Sequence, residues 1–215
     1  WIFHDEVLEG LGVEAPRVNI EVHLSGGLPG TNIVGLPEAA VRESRDRVRS
    51  ALLNANFDWP QRRITINLAP ADLPKEGARF DLAIALGILA ASGQVPIDVL
   101  DDYEFYGELA LSGELRAIHG LLPAVIQATR NGKAVIVPAA LADEAAQVPD
   151  ARVFAADHLL AVCAHLRGDE GLSRCVATPI APTLASVPDL ADVIGQAHAR
   201  RALEIAATGG HNLLF

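Results

Sequence analysis

The run G-E-L-A-L-S-G-E-L-R-A-I-H-G-L-L, Gly107 to Leu122, limits more than any other stretch what this chain can fold into. Leu109 and Leu111 alternate with small or polar neighbours, the period-2 pattern of a half-buried strand. Ser112-Gly113 supplies a turn, because glycine tolerates the positive φ that tight hairpins require. Leu115 and Ile118 are assigned to the return strand, and Gly120 breaks it. Leu121, Leu122, Val125, Ile126 and Thr129 then recur at helical spacing, and Asn131-Gly132 closes that helix. Ala134 to Val137 reads as a short buried strand, stopped by Pro138.

The remaining segments follow from their periodicity. Val18, Ile20, Val22 and Leu24 share one face of a strand over 17–24, and Thr31 to Leu36 reads as a second strand in a hairpin or meander with it. Pro37 opens a helix to about Asn56, with Val41, Ser44, Val48, Ala51, Leu52 and Ala55 as its inward stripe. Ile64, Ile66 and Leu68 mark a strand. Phe80 to Ala91 is an apolar, Ala-rich helix ended by Gly93 and Pro96. Asp98 to Glu104 reads as a solvated acidic loop. A short helix over 139–147, a strand over 152–155 and a helix over 159–166 follow. Thr178-Pro179-Ile180-Ala181-Pro182-Thr183 lacks periodicity and reads as linker. Gln196 to Ala207 is helical, Gly209-Gly210 ends it, and Asn212 to Phe215 is expected to begin a strand.

Two blocks carry a resemblance. The hairpin run is similar to the catalytic core of the Lon protease domain, G-E-[IV]-x-L-x-G-x-[VL]-x-P-[IV]-G-G-[LI]-K, whose final Lys belongs to a Ser-Lys dyad. Gly107, Glu108, Leu111, Gly113, Leu115, Ile118, Gly120 and Leu121 fall on that pattern, and the dyad position holds Leu122. Pro74-Lys75-Glu76-Gly77-Ala78-Arg79-Phe80-Asp81 is similar to the Lon block P-K-D-G-P-S-A-G, whose Ser is the nucleophile; here that position is Arg79. Neither a leucine nor an arginine can do the chemistry of an activated hydroxyl and a neutral amine.

The run G-L-P-E-A-A-V-R-E-S-R-D-R-V-R-S-A-L after the second strand, and D-V-I-G-Q…G-G-H-N-L-L near the end, resemble the ComM/YifB family of magnesium-chelatase-like proteins, in which a Lon-like domain precedes an AAA+ ATPase module. The resemblance implies an α/β (α+β) fold: a Lon-protease-domain-like mixed sheet with packed helices over 11–168, a linker over 169–188, and the start of an AAA+ ATPase domain over 189–215, before its phosphate-binding loop. Residues 1–10 read as a candidate vector-derived N-terminus, since the chain contains no Met. Val193, Ile194 and Gly195 are implied to lie on the adenine side of an ATP site in the full-length protein, with ATP and magnesium as its cofactors. No cofactor is expected in the 215-residue chain itself, because the backbone N–H groups and Lys that hold the phosphates are not in it.

The implied function is a non-proteolytic Lon-like domain of a DNA-processing, helicase-type motor of natural transformation, acting in partner docking, substrate guidance or ring regulation. The implied partners are the chain's own AAA+ ATPase domain and, through the full-length homohexamer, DNA. The 215-residue chain is expected not to be an enzyme by itself. Two other readings stay open. One is a Lon-type serine peptidase with a non-standard nucleophile, which covalent labelling by a fluorophosphonate would reveal. The other is a magnesium-chelatase-like metal-insertion subunit, which activity with a porphyrin partner would support.

Composition narrows the classes. Half the residues are hydrophobic and a fifth are charged, as in folded proteins. No apolar run reaches the ~18 residues of a membrane span. A cytoplasmic protein without a membrane partner is expected, with Cys163 and Cys175 reduced. Seven histidines stand at no metal-ligand spacing, so no metal site is expected. A formal net charge of −10 argues against wholesale binding of nucleic acid and leaves room for a local patch. Arg42, Arg45 and Arg49 stand at i, i+3 and i+7 on one helix, with Arg62-Arg63 shortly after, and could contact phosphate. A solvated face with Glu38–Arg42 and Glu43–Arg47 pairs is the favoured reading.

Overall fold

The computed structural model describes residues 2–8, 17–73, 75, 77–178 and 189–214. Pro74, Glu76 and residues 179–188 of the expected linker lie outside the described residues. The chain divides into two compact units, Trp1–Thr178 and Pro179–Phe215.

The first unit is a mixed α/β fold. Its largest sheet has the order β1-β2-β4-β3, from strands β1 (Ile2–Leu8), β2 (Arg17–Ser25), β3 (Gly30–Val34) and β4 (Arg63–Ala69). β1–β2 and β2–β4 are antiparallel, and β3 lies parallel to β4. The register sets Ile20 opposite Leu68 and Val22 opposite Ile66, all fully buried, so one face of the sheet is apolar as the alternation predicts. The expected hairpin between the second and third sequence strands does not form. β4 pairs between them, and β3 reaches the sheet only as its parallel edge.

Helix α1 (Ala39–Asn54) turns its stripe of Val41, Ser44, Val48, Ala51 and Leu52 inward. Helix α2 (Asp81–Ala91) is buried along its whole length, which its unbroken apolar composition requires. A parallel three-stranded sheet, order β5-β8-β9, is built from β5 (Tyr103–Phe105), β8 (Ala134–Pro138) and β9 (Val153–Ala156). The acidic segment 98–104 is therefore not a solvated loop: it makes a 3-10 turn and then β5, and Glu104 is buried with its carboxylate accepting from Tyr106 Oη.

The organising hairpin is shorter than the pattern suggests. Strands β6 (Glu108–Leu109) and β7 (Leu115–Arg116) pair around a turn closed by Gly113 N–H to Ala110 O at 2.9 Å. Leu111 belongs to the exposed turn, and Ile118 packs on the core beyond the strand's end. Helix α3 (Leu121–Arg130) follows Gly120, whose φ of +69° no other residue type adopts as cheaply. Helices α4 (Ala142–Ala146) and α5 (Leu159–Arg167) complete the unit.

Residues 169–178, expected as the start of the linker, are bonded into this unit. Cys175 N–H donates to Val153 O at 2.8 Å, and Arg174 Nη2 to Ala151 O at 2.9 Å. Leu172 N–H donates to His165 Nδ1 at 3.0 Å, so the His165 proton sits on Nε2, which faces Tyr103 Oη at 3.1 Å. Burial lowers the His165 pKa. An unfolded chain takes this proton first, so the contribution of His165 is present above its unfolded pKa of about 6.5 and is lost as pH falls below that value. Urea titrations from pH 8 to 5 are expected to show the parent losing more stability than His165→Gln. Equal losses would contradict the lowered His165 pKa.

In the second unit a 3-10 turn, Leu190–Asp192, starts with a capping box at Asp189. Helix α6 (Ala197–Gly209) follows and ends at Gly210, with φ +62°. Residues 212–214 are not a strand, contrary to the expectation.

Candidate functional site

The two positions that replace a dyad lie on segments joined by a hydrogen bond from Arg79 to the turn before α3. Arg79 lies just before α2, and its carbonyl accepts from Gly107 N–H at 3.3 Å, where the hairpin begins. Gly107 O in turn accepts from Leu82 N–H at 3.2 Å. Arg79 Nη2 donates to His119 O at 3.2 Å. His119 and Gly120 form the turn into α3, whose second residue is Leu122, half exposed. The fold thus bonds Arg79 to the turn that leads into α3, the helix that carries Leu122.

Beside the Arg79 segment lies a polar cluster that the sequence reading missed. Asp81, the first residue of α2, is fully buried. Its carboxylate accepts from Arg47 Nε at 2.8 Å, from Arg47 Nη2 at 3.1 Å, from Leu109 N–H at 3.2 Å and from the Ser44 hydroxyl. Burial pushes the Asp81 carboxyl up, and the Arg47 guanidinium and Ser44 hydroxyl pull it back. The expected Glu43–Arg47 pair forms at 3.5 Å, but Arg47's main partner is Asp81. A signal was available: a carboxylate opening an all-apolar helix must find a cation or several donors.

Arg42, Arg45 and Arg49 all point outward from α1. Arg45 is bound to Asp46 by two bonds of 3.1 Å, which hold that carboxyl below its usual range. Arg49 instead lies over the Trp59 ring, 5.9 Å from its centroid.

In the second unit, Val193 lines an apolar cleft of about 610 Å³ with Leu190, Leu203 and Ala207. Ile194 is almost wholly exposed, and Gly195 has φ +76°. Other chemistry is sparse. Cys163 is buried, which pushes its thiol up to about 12 and keeps it protonated at neutral pH. Among the described residues no group of three or more His, Cys, Asp or Glu is placed to hold a metal, and no helix is long and apolar enough to cross a membrane.

Comparison with known proteins agrees with these features. The family described as subunit ChlI of magnesium chelatase matches residues 20–141, and a second family description, magnesium chelatase subunit ChlI, matches residues 189–215. The chain is 53% identical over 211 residues to the competence protein ComM of Haemophilus influenzae, covering 95% of this chain and 41% of that protein. It is 52% identical over 205 residues to the uncharacterized protein YifB of Escherichia coli, covering 95% of this chain and 40% of that protein. The chain belongs to the ComM/YifB family of magnesium-chelatase-like proteins. A Lon relationship is also present: the chain is 34% identical over 153 residues to Lon protease 2 of Bacillus subtilis, covering 61% of this chain and 27% of that one.

The chain spans about two fifths of the length of the ComM and YifB relatives it matches. The family assignment overturns one expectation. The chain was expected to be non-enzymatic, but the ComM and YifB proteins it matches over 95% of its length, and the magnesium-chelatase family it matches over residues 20–141 and 189–215, form a family of AAA+ ATPases, which are enzymes.

Proposed function

We propose that the chain is the Lon-like and leading ATPase portion of a ComM-type AAA+ motor that uses ATP to work on DNA in the cytoplasm. The observation that carries this reading is 53% identity to a competence protein across 95% of the chain, continuous through both units. In this reading ATP and magnesium are the cofactors. The apolar wall of Leu190, Val193, Leu203 and Ala207 takes one face of the purine ring, and the phosphates are held by residues outside this chain. The partner of the Lon-like unit is its own ATPase ring, a homohexamer, and the unit serves substrate guidance. Its Arg79 corner, with neither an activated hydroxyl nor a neutral amine at the two dyad positions, ties the hairpin to the start of α2 and to the turn before α3 and cuts no peptide bond.

The test uses the full-length protein. It is expected to hydrolyse ATP with magnesium, and Val193→Arg is expected to raise KM for ATP by about tenfold with little change in kcat, since a charge in the cleft opposes ground-state and transition-state binding alike. Absence of ATP turnover, or an unchanged KM in the variant, would count against the reading.

A further inference from the structure

We propose that the first unit carries a contact strip for single-stranded nucleic acid, running from Arg42 and Arg49 on α1 across Trp59 to Arg62 and the cleft beside it. This deepens the motor reading above and rests on it for the choice of DNA.

Charge pairing is the first observation. In a chain of net charge −10, most described arginines are spoken for. Arg45, Arg47, Arg116 and Arg201 pair with carboxylates, while Arg152, Arg167 and Arg174 are tied to backbone carbonyls. Among the described residues Arg42, Arg49, Arg62 and Arg63 form no ion pair with a carboxylate, and all four are exposed. An acidic protein that leaves these four guanidiniums without a carboxylate bond, Arg49 adding only to the field on Asp46, has a locally favourable surface for phosphate.

The second observation is how Arg49 is held. Its guanidinium lies over the Trp59 ring, and Trp59 itself packs against the core. An exposed guanidinium held near an indole face leaves N–H groups open for a phosphate, and the two together offer a surface for a base. The seven-residue interval to Arg42 spans about 10 Å along the helix, a reach suited to a second phosphate of an extended strand.

The third is continuity with a cavity. Trp59 is followed directly by Pro60, Gln61 and Arg62, and Gln61 Nε2 donates to Trp59 O at 3.3 Å. Those three residues line a cleft of about 550 Å³ whose far wall is Ser92, Gly93 and Ile97. A cleft of that volume admits a nucleobase with its sugar, with Arg62 at the rim for the phosphate and polar side chains for the base edge. A duplex keeps its bases stacked inside and cannot use either the platform or the cleft.

The experiment is fluorescence anisotropy of a labelled 20-mer of deoxythymidine with the 215-residue chain, without ATP, from 20 to 200 mM salt. A uridine 20-mer and a 20-base-pair duplex serve as further arms. The proposal expects saturable binding of both single strands at 20 mM salt, weaker for the duplex, with quenching of tryptophan fluorescence. The triple variant R42A/R49A/R62A is expected to bind at least about tenfold more weakly, with the log–log salt slope reduced by about 2. Arg130→Ala, one charge removed from α3, is the control and should bind as the parent does. No binding at 20 mM salt, a duplex preference, or equal losses in triple variant and control would each overturn the strip. Because ATP is absent, that failure is separate from a failure of ATP hydrolysis in the full-length protein.

Discussion

Gly35→Ala is expected to be among the most damaging small substitutions in the first unit, at about 4 kcal/mol of unfolding free energy. Gly35 follows β3 with φ +100°, and a β-carbon there would stand 2.1 Å from Leu68 O and 2.8 Å from Leu68 C. Both atoms are backbone of β4, the strand β3 pairs with, so neither can rotate away. Relief requires moving the edge strand or opening the loop that leads into α1. Against a typical total stability of 5–15 kcal/mol, a loss of about 4 brings the variant near its unfolding threshold. Gly132→Ala is the matched control. It also has a left-handed φ, +73°, but nothing lies within 4 Å of its added carbon. It should lose only about 1 kcal/mol, the penalty of the left-handed conformation itself. Equal urea midpoints for the two variants would show that the close approach to Leu68 is not what requires glycine.

The run G-L-P-E carries a family resemblance, and the fold supplies its physical reason at the first residue: the chain passes the carbonyl of Leu68 at a distance only hydrogen permits. Periodicity located α1, α2, α3 and α5, because each has an apolar stripe or is apolar throughout. It could not place β4 between β2 and β3, since which strands pair depends on contacts distant in sequence. For the same reason it misread 98–104. The acidic residues dominate that window, yet Glu104 is drawn into the core by its place on β5, next to β8. The bonding of the Arg79 segment to Gly107 and His119 was legible because the two motif blocks resemble parts of one domain. Arg47 and Asp81 were not: each stands inside a quoted motif, but their bond joins residues 34 apart and neither motif pairs them. Spacing alone could not show that Arg45 bonds its neighbour Asp46.

Arg47→Met is the second large effect. It removes the guanidinium from a carboxylate that is 0% exposed while Arg47 itself is 21% exposed. Asp81 keeps only the Ser44 hydroxyl and Leu109 N–H, which cannot replace a countercharge. Breaking a buried pair from one side costs about 3–5 kcal/mol; the partial exposure of Arg47 places this case near about 3. The double variant Arg47→Met, Asp81→Leu removes the orphaned charge as well and is expected to recover at least half of that loss. Urea unfolding of the parent, both single variants and the double variant gives the coupling directly. Strictly additive losses would mean that the two side chains do not depend on each other. A local readout separates this pair from a general loosening of the core. Leu109 N–H is bound to Asp81 Oδ2, so in Arg47→Met the Leu109 amide should exchange with solvent faster, while Ile66 and Val22 in the large sheet keep their protection under native conditions. The Arg47–Asp81 pair thus holds α1 and α2 to the same hairpin that starts beside Arg79. If Leu109 exchanges no faster than Ile66 in the variant, the hairpin is held by something other than Asp81.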